Sequence, residues 1–271
     1  MLISEKNIVL IGGGTMAEAI IKGLLTSRVT SPKRITVSEL NPDRRSWINE
    51  EYGIQVTQPE SLDLAPAHII ILAVKPDVLY SVLKRICMSV VPGQLVISVA
   101  AGVPLGVVEQ ALNPAVSVVR VMPNAPAIVQ RGMIAVSRGR QATDAEVLLT
   151  RSIFSTIGLV MDIDEEHMDI FTVISGSGPA YVFYLMEAMI AAAAQHGLPP
   201  ARILTIVAET IRGTGELVAR IHENPQTMRE RLVLPGGPTE AALATLEAGD
   251  VKTVIMRAID TAVTRVRQQN E

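Results

Sequence analysis

Cysteine is all but missing from this sequence. Cys87 is the single thiol, so an intrachain disulfide and a multi-cysteine metal site are both excluded. It reads as a small core hydrophobe in a reducing compartment. Aromatic residues make up only 3% of the chain, too few for a platform on which nucleic-acid bases stack. Basic charge is not in excess either; the net charge is −3, so no strongly positive face is implied and nucleic acid is not an expected partner. No apolar run reaches the roughly 20 residues of a membrane span. The longest, 188–194, is bounded by Glu187 and Gln195 and reads as a buried helix. The first residues carry Glu5 and Lys6 and lack the basic and apolar regions of a secretory leader, which points to the cytoplasm. No Cys/His pair has ligand spacing, so no metal is expected. Internal repeats and low-complexity tails are absent too. The chain does have core-forming material: 48% of it is hydrophobic and 19% charged, the balance of a folded protein.

Over the first half, short β-branched runs alternate with helix-like segments. Strand-like residues fall at 7–11, 35–37, 54–56, 68–74, 95–99, 116–121, 134–136 and 159–161. Between them, 15–25, 42–52, 77–90, 104–112 and 143–155 have helical spacing; the last opens on a Thr143/Glu146 capping box. The run 68–74 is apolar throughout, as in a strand covered on both faces. Such alternation predicts an α/β fold: an N-terminal Rossmann-like, doubly wound, mostly parallel sheet over residues 1–163. From 164 to 271 the texture changes to helices at about 165–173, 178–196, 200–223, 226–233, 238–248 and 251–269, broken by Pro and Gly clusters. The stretch 181–194 is apolar around much of its circumference and needs burial on more than one side. A second subunit supplies that cover on one reading, the N-terminal domain on the other.

The first strand runs into Gly12-Gly13-Gly14-Thr15-Met16-Ala17, the form G-x-G-x-x-A at the opening of a helix. Gly12 permits the tight turn, Gly14 lets a pyrophosphate approach the backbone, and Ala17 keeps helix close to strand. The free N–H groups and the positive helix end then hold the phosphates. Ser38 and Glu39 close the second strand, where an acid usually bonds the ribose 2′-hydroxyl of NAD. Asn41, Arg44 and Arg45 follow and suit a 2′-phosphate or a solvated helix start equally. The choice between NADPH and NADH stays open at this point.

Further motifs occur in order: Ala73-Val74-Lys75-Pro76; Ser98-Val99-Ala100-Ala101-Gly102-Val103; Arg120-Val121-Met122-Pro123-Asn124-Ala125-Pro126; Ser175-Gly176-Ser177-Gly178-Pro179-Ala180-Tyr181; and Pro235-Gly236-Gly237-Pro238-Thr239. Each sits at a strand's C-terminal end or a helix start, where open α/β sheets bind ligands. Val74 and Lys75 would line the cofactor cleft, with Lys75 either on the ribose or carboxamide or in solvent. Met122, Pro123 and Asn124 are expected to frame the nicotinamide. Ser175, Gly176 and Ser177 allow close backbone approach before a long helix whose N-terminus attracts an anion. The N–H groups of Gly236 and Gly237 could hold a carboxylate as a nest. His68, His167, His196 and His222 lie outside these motifs and read as structural or exposed.

Taken together the motifs resemble pyrroline-5-carboxylate reductase, over essentially the whole chain from Lys6 to Arg267. The resemblance implies reduction of the cyclic imine 1-pyrroline-5-carboxylate to L-proline, with NADPH or NADH as hydride source. It implies cofactor contacts at Gly12, Gly13, Gly14, Thr15, Met16, Ser38, Glu39, Asn41, Arg44, Ala73–Pro76, Ala100, Ala101, Gly102, Met122, Pro123 and Asn124. Substrate contacts would come from Ser175, Gly176, Ser177, Gly236, Gly237 and Thr239, with the Thr239 hydroxyl beside the ring nitrogen. It implies, too, a homodimer through the helical domain and, in larger assemblies, a ring of dimers. The chain departs from the family's pattern at Thr15, Ala125, Leu234 and Pro238, where the family usually has Asn, Thr, Ser, and Ala or Thr. A reductase for a six-membered piperideine carboxylate and a non-catalytic nucleotide-sensing protein are the alternative readings.

Overall fold

A computed structural model describes residues 3–270. Its contacts divide the chain into two compact units: residues up to Ser177 together with those from Val263 onward, and Gly178–Ala262.

The first unit is built on one eight-stranded sheet. Its strands are β1 (Ile8–Ile11), β2 (Ile35–Ser38), β3 (Gln55–Thr57), β4 (Ile69–Leu72), β5 (Leu95–Ser98), β6 (Ser117–Met122), β7 (Gly132–Arg138) and β8 (Gly158–Asp162). The spatial order is β3-β2-β1-β4-β5-β6-β7-β8. All neighbours are parallel except β6 and β7, which run antiparallel. The order reverses between β1 and β4, the switch point of a doubly wound sheet. Five helices connect the strands: α1 (Thr15–Thr26), α2 (Pro42–Tyr52), α3 (Pro76–Ile86), α4 (Leu105–Ala111) and α5 (Asp144–Phe154).

Residues of β1, β4, β5 and β6 are buried from end to end, because both faces of the sheet are covered. Alternation sorts them onto two cores. Ile8, Leu10, Ile69 and Ile71 join Ile20, Leu24 and Phe154 from α1 and α5. Val9, Ile11, Ile70 and Leu72 join Leu79, Leu83 and Val108 from α3 and α4. Local signals end the helices as expected: Pro42 opens α2, Gly53 closes it at φ +63°, and Thr143 with Glu146 forms a complete capping box on α5.

Residues 164–177, which the sequence pattern groups with the helical half, pack on the sheet instead. After a 3₁₀ turn at Glu165–His167 come α6 (Met168–Phe171) and a π turn, Thr172–Gly176. Met168 packs with Met122 and Ala135, and Val173 is fully buried. The second unit holds α7 (Gly178–Gln195), α8 (Pro200–Ile221), α9 (Pro225–Arg231) and α10 (Pro238–Ala248). The last helix, α11 (Val251–Asn270), begins there as well. Little of this unit is buried. Phe183 is 59% and Tyr184 77% exposed on α7, and Val254, Ile255 and Met256 are exposed on α11. Tyr181, Tyr184 and Leu185 line one apolar groove with Val251, Val254 and Ile255. No helix among the described residues is long and apolar enough to cross a membrane.

One half-buried ion pair ties the start of the 164–177 segment to the sheet. Arg120, in the middle of β6, is 2% exposed, and its Nη1 lies 2.6 Å from Glu165 Oε1. The same oxygen accepts the Leu105 N–H at 2.9 Å, so Glu165 also caps α4. Glu165→Ala would leave a buried guanidinium without its counter-charge, a change that costs about 3 kcal/mol or more. A urea titration should show the loss, and the double variant Arg120→Met/Glu165→Leu should recover most of it. Single and double variants of equal stability would refute the role of the pair.

Candidate functional site

The glycine turn lies at the sheet's switch point, and its shape follows from crowding. Gly12 has φ +101°, and a Cβ there would stand 2.5 Å from the Ala73 carbonyl oxygen at the end of β4. Only glycine fits both the dihedral and the space. Its N–H donates to Ser38 O at 2.8 Å, which ties the turn to β2 as well. Gly13 is packed under Ile48, whose Cδ1 would be 2.7 Å from an added Cβ. Gly14 is different: an added Cβ would meet nothing within 4 Å, and no side chain caps α1. No side chain occupies the first N–H groups of that helix, at the positive end of its dipole. A dinucleotide's pyrophosphate fits this cradle.

Around it, the ends of five strands bring most of the expected cofactor residues to one edge of the sheet. Register aligns Ile11 with Ser38 and Leu72, Leu72 with Ser98, and Ser98 with Arg120. The segments just beyond, with Gly12–Met16, Glu39, Asn41, Ala73–Pro76, Ala100–Gly102 and Met122–Asn124, share that edge. Val74 packs on the glycine turn, its Cγ1 3.0 Å from an added Gly12 Cβ, and Lys75 is exposed at the start of α3.

Several of the expected site residues make contacts within the protein. Ser38 is 2% exposed with its hydroxyl unpartnered, so it serves the turn through its carbonyl. Met122 and Asn124 turn their side chains into protein. Met122 is 6% exposed against Met168, and its Cε would be 2.6 Å from a Cβ at Gly176. Asn124 donates from Nδ2 to Ser175 O at 3.1 Å and Ser175 Oγ at 3.2 Å, and its Oδ1 accepts the Met133 N–H at 2.9 Å. It thus fastens the π turn to β7. Ser175 and Gly176 lie in that turn, with Ser177 just after it, and not in a loop before a free helix start. Ser177 N donates to Thr172 O at 3.0 Å, closing the wide turn; such turns are frequent at functional sites.

In the second unit, Gly236 has φ +72° and precedes α10, with Pro238 and Thr239 exposed in its first turn. The expected two-donor nest is taken by the chain itself. Gly236 N donates to Glu240 Oε2 at 2.7 Å, and Gly237 N to Leu234 O at 2.9 Å. Glu240 lies four residues ahead, within reach of the turn, a signal the glycine motif alone does not carry.

A polar cluster beside the glycine turn was not legible as such. Arg44 donates from Nε to Gly13 O at 2.7 Å and pairs through Nη2 with Glu18. Its guanidinium stacks 4.4 Å from the Trp47 ring centre. Tyr52 donates to Glu18 Oε1 at 3.2 Å and meets Trp47 edge-on. Asn41 is spent as the cap of α2, accepting from Asp43 N and Arg44 N. His68 accepts the Asn7 N–H, and the other three histidines are exposed. His167 stands with Asp164 and Glu166 in an exposed acidic group at the junction.

Residues 165–269 match the family model "Pyrroline-5-carboxylate reductase dimerisation", and 7–102 match "NADP oxidoreductase coenzyme F420-dependent". Pyrroline-5-carboxylate reductase 3 of Xenopus laevis is 36% identical over 94% of this chain and 93% of its own. The chain belongs to the pyrroline-5-carboxylate reductase family. The Escherichia coli K12 member is 33% identical over 94% of this chain and 95% of its own. The solved reductase of Coxiella burnetii superposes with a TM-score of 0.89 at 31% identity, covering 98% and 99% of the two chains. The Plasmodium falciparum structure, with NADP bound, gives 0.89 at 27% identity, covering 99% of each. Membership makes this chain an oxidoreductase that acts on a small molecule, and its helical half an oligomerisation domain of the reductase family.

The Tyr52 hydroxyl has a pKa pushed up to about 12, first by burial and then by the Glu18 carboxylate beside it. The folded state therefore favours the un-ionised phenol, and the unfolded chain ionises first, near 10. Stability should be unaffected by this group below pH 10 and should fall between pH 10 and about 12. Urea midpoints measured across that range should decline less steeply in Tyr52→Phe; parallel declines would clear Tyr52 of the effect.

Proposed function

We propose that this chain reduces 1-pyrroline-5-carboxylate to L-proline with a reduced nicotinamide dinucleotide, NADPH or NADH, as the last step of proline biosynthesis. The observation that carries the reading is the glycine turn at the switch point, in a chain that matches reductases of this name from end to end. On this reading residues 1–163 bind the dinucleotide, and 164–271 complete the substrate site and the homodimer. The exposed apolar faces of α7 and α11 support dimer formation, since helices of that composition need a second surface. A ring of dimers is the assembly we assign beyond the dimer, and the cytoplasm the compartment, in keeping with the lone thiol.

The bound dinucleotide supplies the hydride; the protein supplies position and electrostatics. The pyrophosphate rests on Gly14 and the first turn of α1, while Ala73–Pro76 and Ala100–Gly102 line the cleft. Asn124 holds Ser175 and the π turn in place, so the small residues Ser175–Ser177 can approach the ring closely. Glu240 releases the Gly236 N–H, which then takes the substrate carboxylate. Thr239 hydrogen-bonds the ring nitrogen. As a C–H bond forms at the imine carbon, the C=N electron pair moves to nitrogen, which is already protonated, and the product is the amine.

Purified protein given the pyrroline acid should consume reduced cofactor, seen as falling absorbance. A panel including the six-membered piperideine acid should leave the pyrroline acid the best substrate. Turnover with none of them would refute the reading. Thr239→Ala should lower kcat by about 10²-fold while dinucleotide affinity holds. An equal loss of cofactor binding would show that Thr239 serves the other ligand.

A further inference from the structure

The end of β2 carries an acid whose geometry bears on which dinucleotide this chain takes. Glu39 Oε2 accepts the Gly13 N–H at 2.7 Å, and Oε1 accepts the Asn41 N–H at 2.9 Å. The carboxylate is thus pinned, half-buried, in the wall of the glycine turn; a Cβ on Gly13 would stand 3.1 Å from Oε2. Each oxygen accepts one N–H and keeps a lone pair. An ionised carboxylate in that state can take a hydroxyl donor but repels a second anion.

A 2′-phosphate needs cations or free donors, and the nearest, Arg44, Arg45 and Asn41, each spend part of their hydrogen-bonding capacity inside the protein. Arg44 is bonded to Gly13 O, paired with Glu18 and stacked on Trp47. Arg45 donates from Nη1 to the carbonyls of Glu39 and Leu40. Asn41 uses its side-chain oxygen as the α2 cap and its N–H on Glu39. The acid is held facing the turn while the bases around it are tied to backbone, to Glu18 or to a ring.

We infer that Glu39 is a specificity-determining residue that makes this chain select the dinucleotide with a free ribose 2′-hydroxyl, NADH over NADPH. The inference rests on the reading of the glycine turn as a nicotinamide dinucleotide site.

The test is direct binding, by calorimetry or quenching of the single Trp47, with NADH and NADPH titrated separately into the purified protein, alongside kcat/KM for each. NADH should bind on the order of tenfold tighter or more, the scale of one unscreened like charge. Glu39→Gln keeps an acceptor for Gly13 N and removes the charge; it should narrow the ratio chiefly by tightening NADPH. Tighter NADPH than NADH in the parent protein would overturn the inference, as would a ratio unchanged in a folded Glu39→Gln. Binding of neither dinucleotide would overturn the reading of the turn itself, and this inference with it.

Discussion

The first glycine of the turn stands so close to the end of β4 that a single added carbon would collide with the Ala73 carbonyl. That contact sets the spacing of everything at this edge. It lets β1 and β4 pair in register up to Ile11 and Leu72 and then diverge, one chain turning up into α1 and the other running to Pro76 and α3. The divergence opens the crevice that parallel sheets use for ligands. Because Gly12 also donates to Ser38, and Gly13 to Glu39, the same turn fixes where β2 delivers its acid. An open turn, an uncapped helix start and a carboxylate held beside them are thus consequences of one close approach.

The two halves meet the burial requirement in different ways. The sheet satisfies it internally: its central strands carry apolar residues on both faces, and helices cover each face. The helical unit cannot, with Tyr184 and Phe183 mostly exposed on α7 and Ile255 and Met256 on α11. Exposed apolar surface on this scale marks an association face. The dimerisation family that matches residues 165–269 accounts for it.

Much of this was legible in the sequence because the signals are local. The alternation of short β-branched runs with helical spacing gives the sheet, Thr143 with Glu146 gives the start of α5, and the glycines before Thr15 give the tight turn into α1. What was not legible depends on partners distant in the chain. Met122 and Asn124 look like ligand contacts because they end a strand, yet their side chains are claimed by Gly176, Met168, Ser175 and Met133. Arg44 reads as a free cation until Glu18 and Trp47 arrive beside it from α1 and its own helix. Glu240 belongs to no sequence motif, and only the turn at Gly236 shows its part by presenting an N–H to it. In each case the residue type was right for binding, and tertiary contact decided what it binds.

Arg120 shows why such claims matter for the site. A guanidinium in the middle of a buried strand is unfavourable unless paired, and Glu165 supplies that pair from the first residues after the sheet. The placement is economical only if the segment after Glu165 has to sit in one position. That segment is the π turn with Ser175 and Gly176, held a second time by Asn124 from the loop that follows β6, four residues beyond Arg120. A side chain of β6 and one just past its end therefore fix the entrance and the end of one short stretch, one by charge and one by amide hydrogen bonds. A hydrophobic residue at 120 would stabilise the sheet as well, but it would leave Glu165 and the start of that stretch without an anchor.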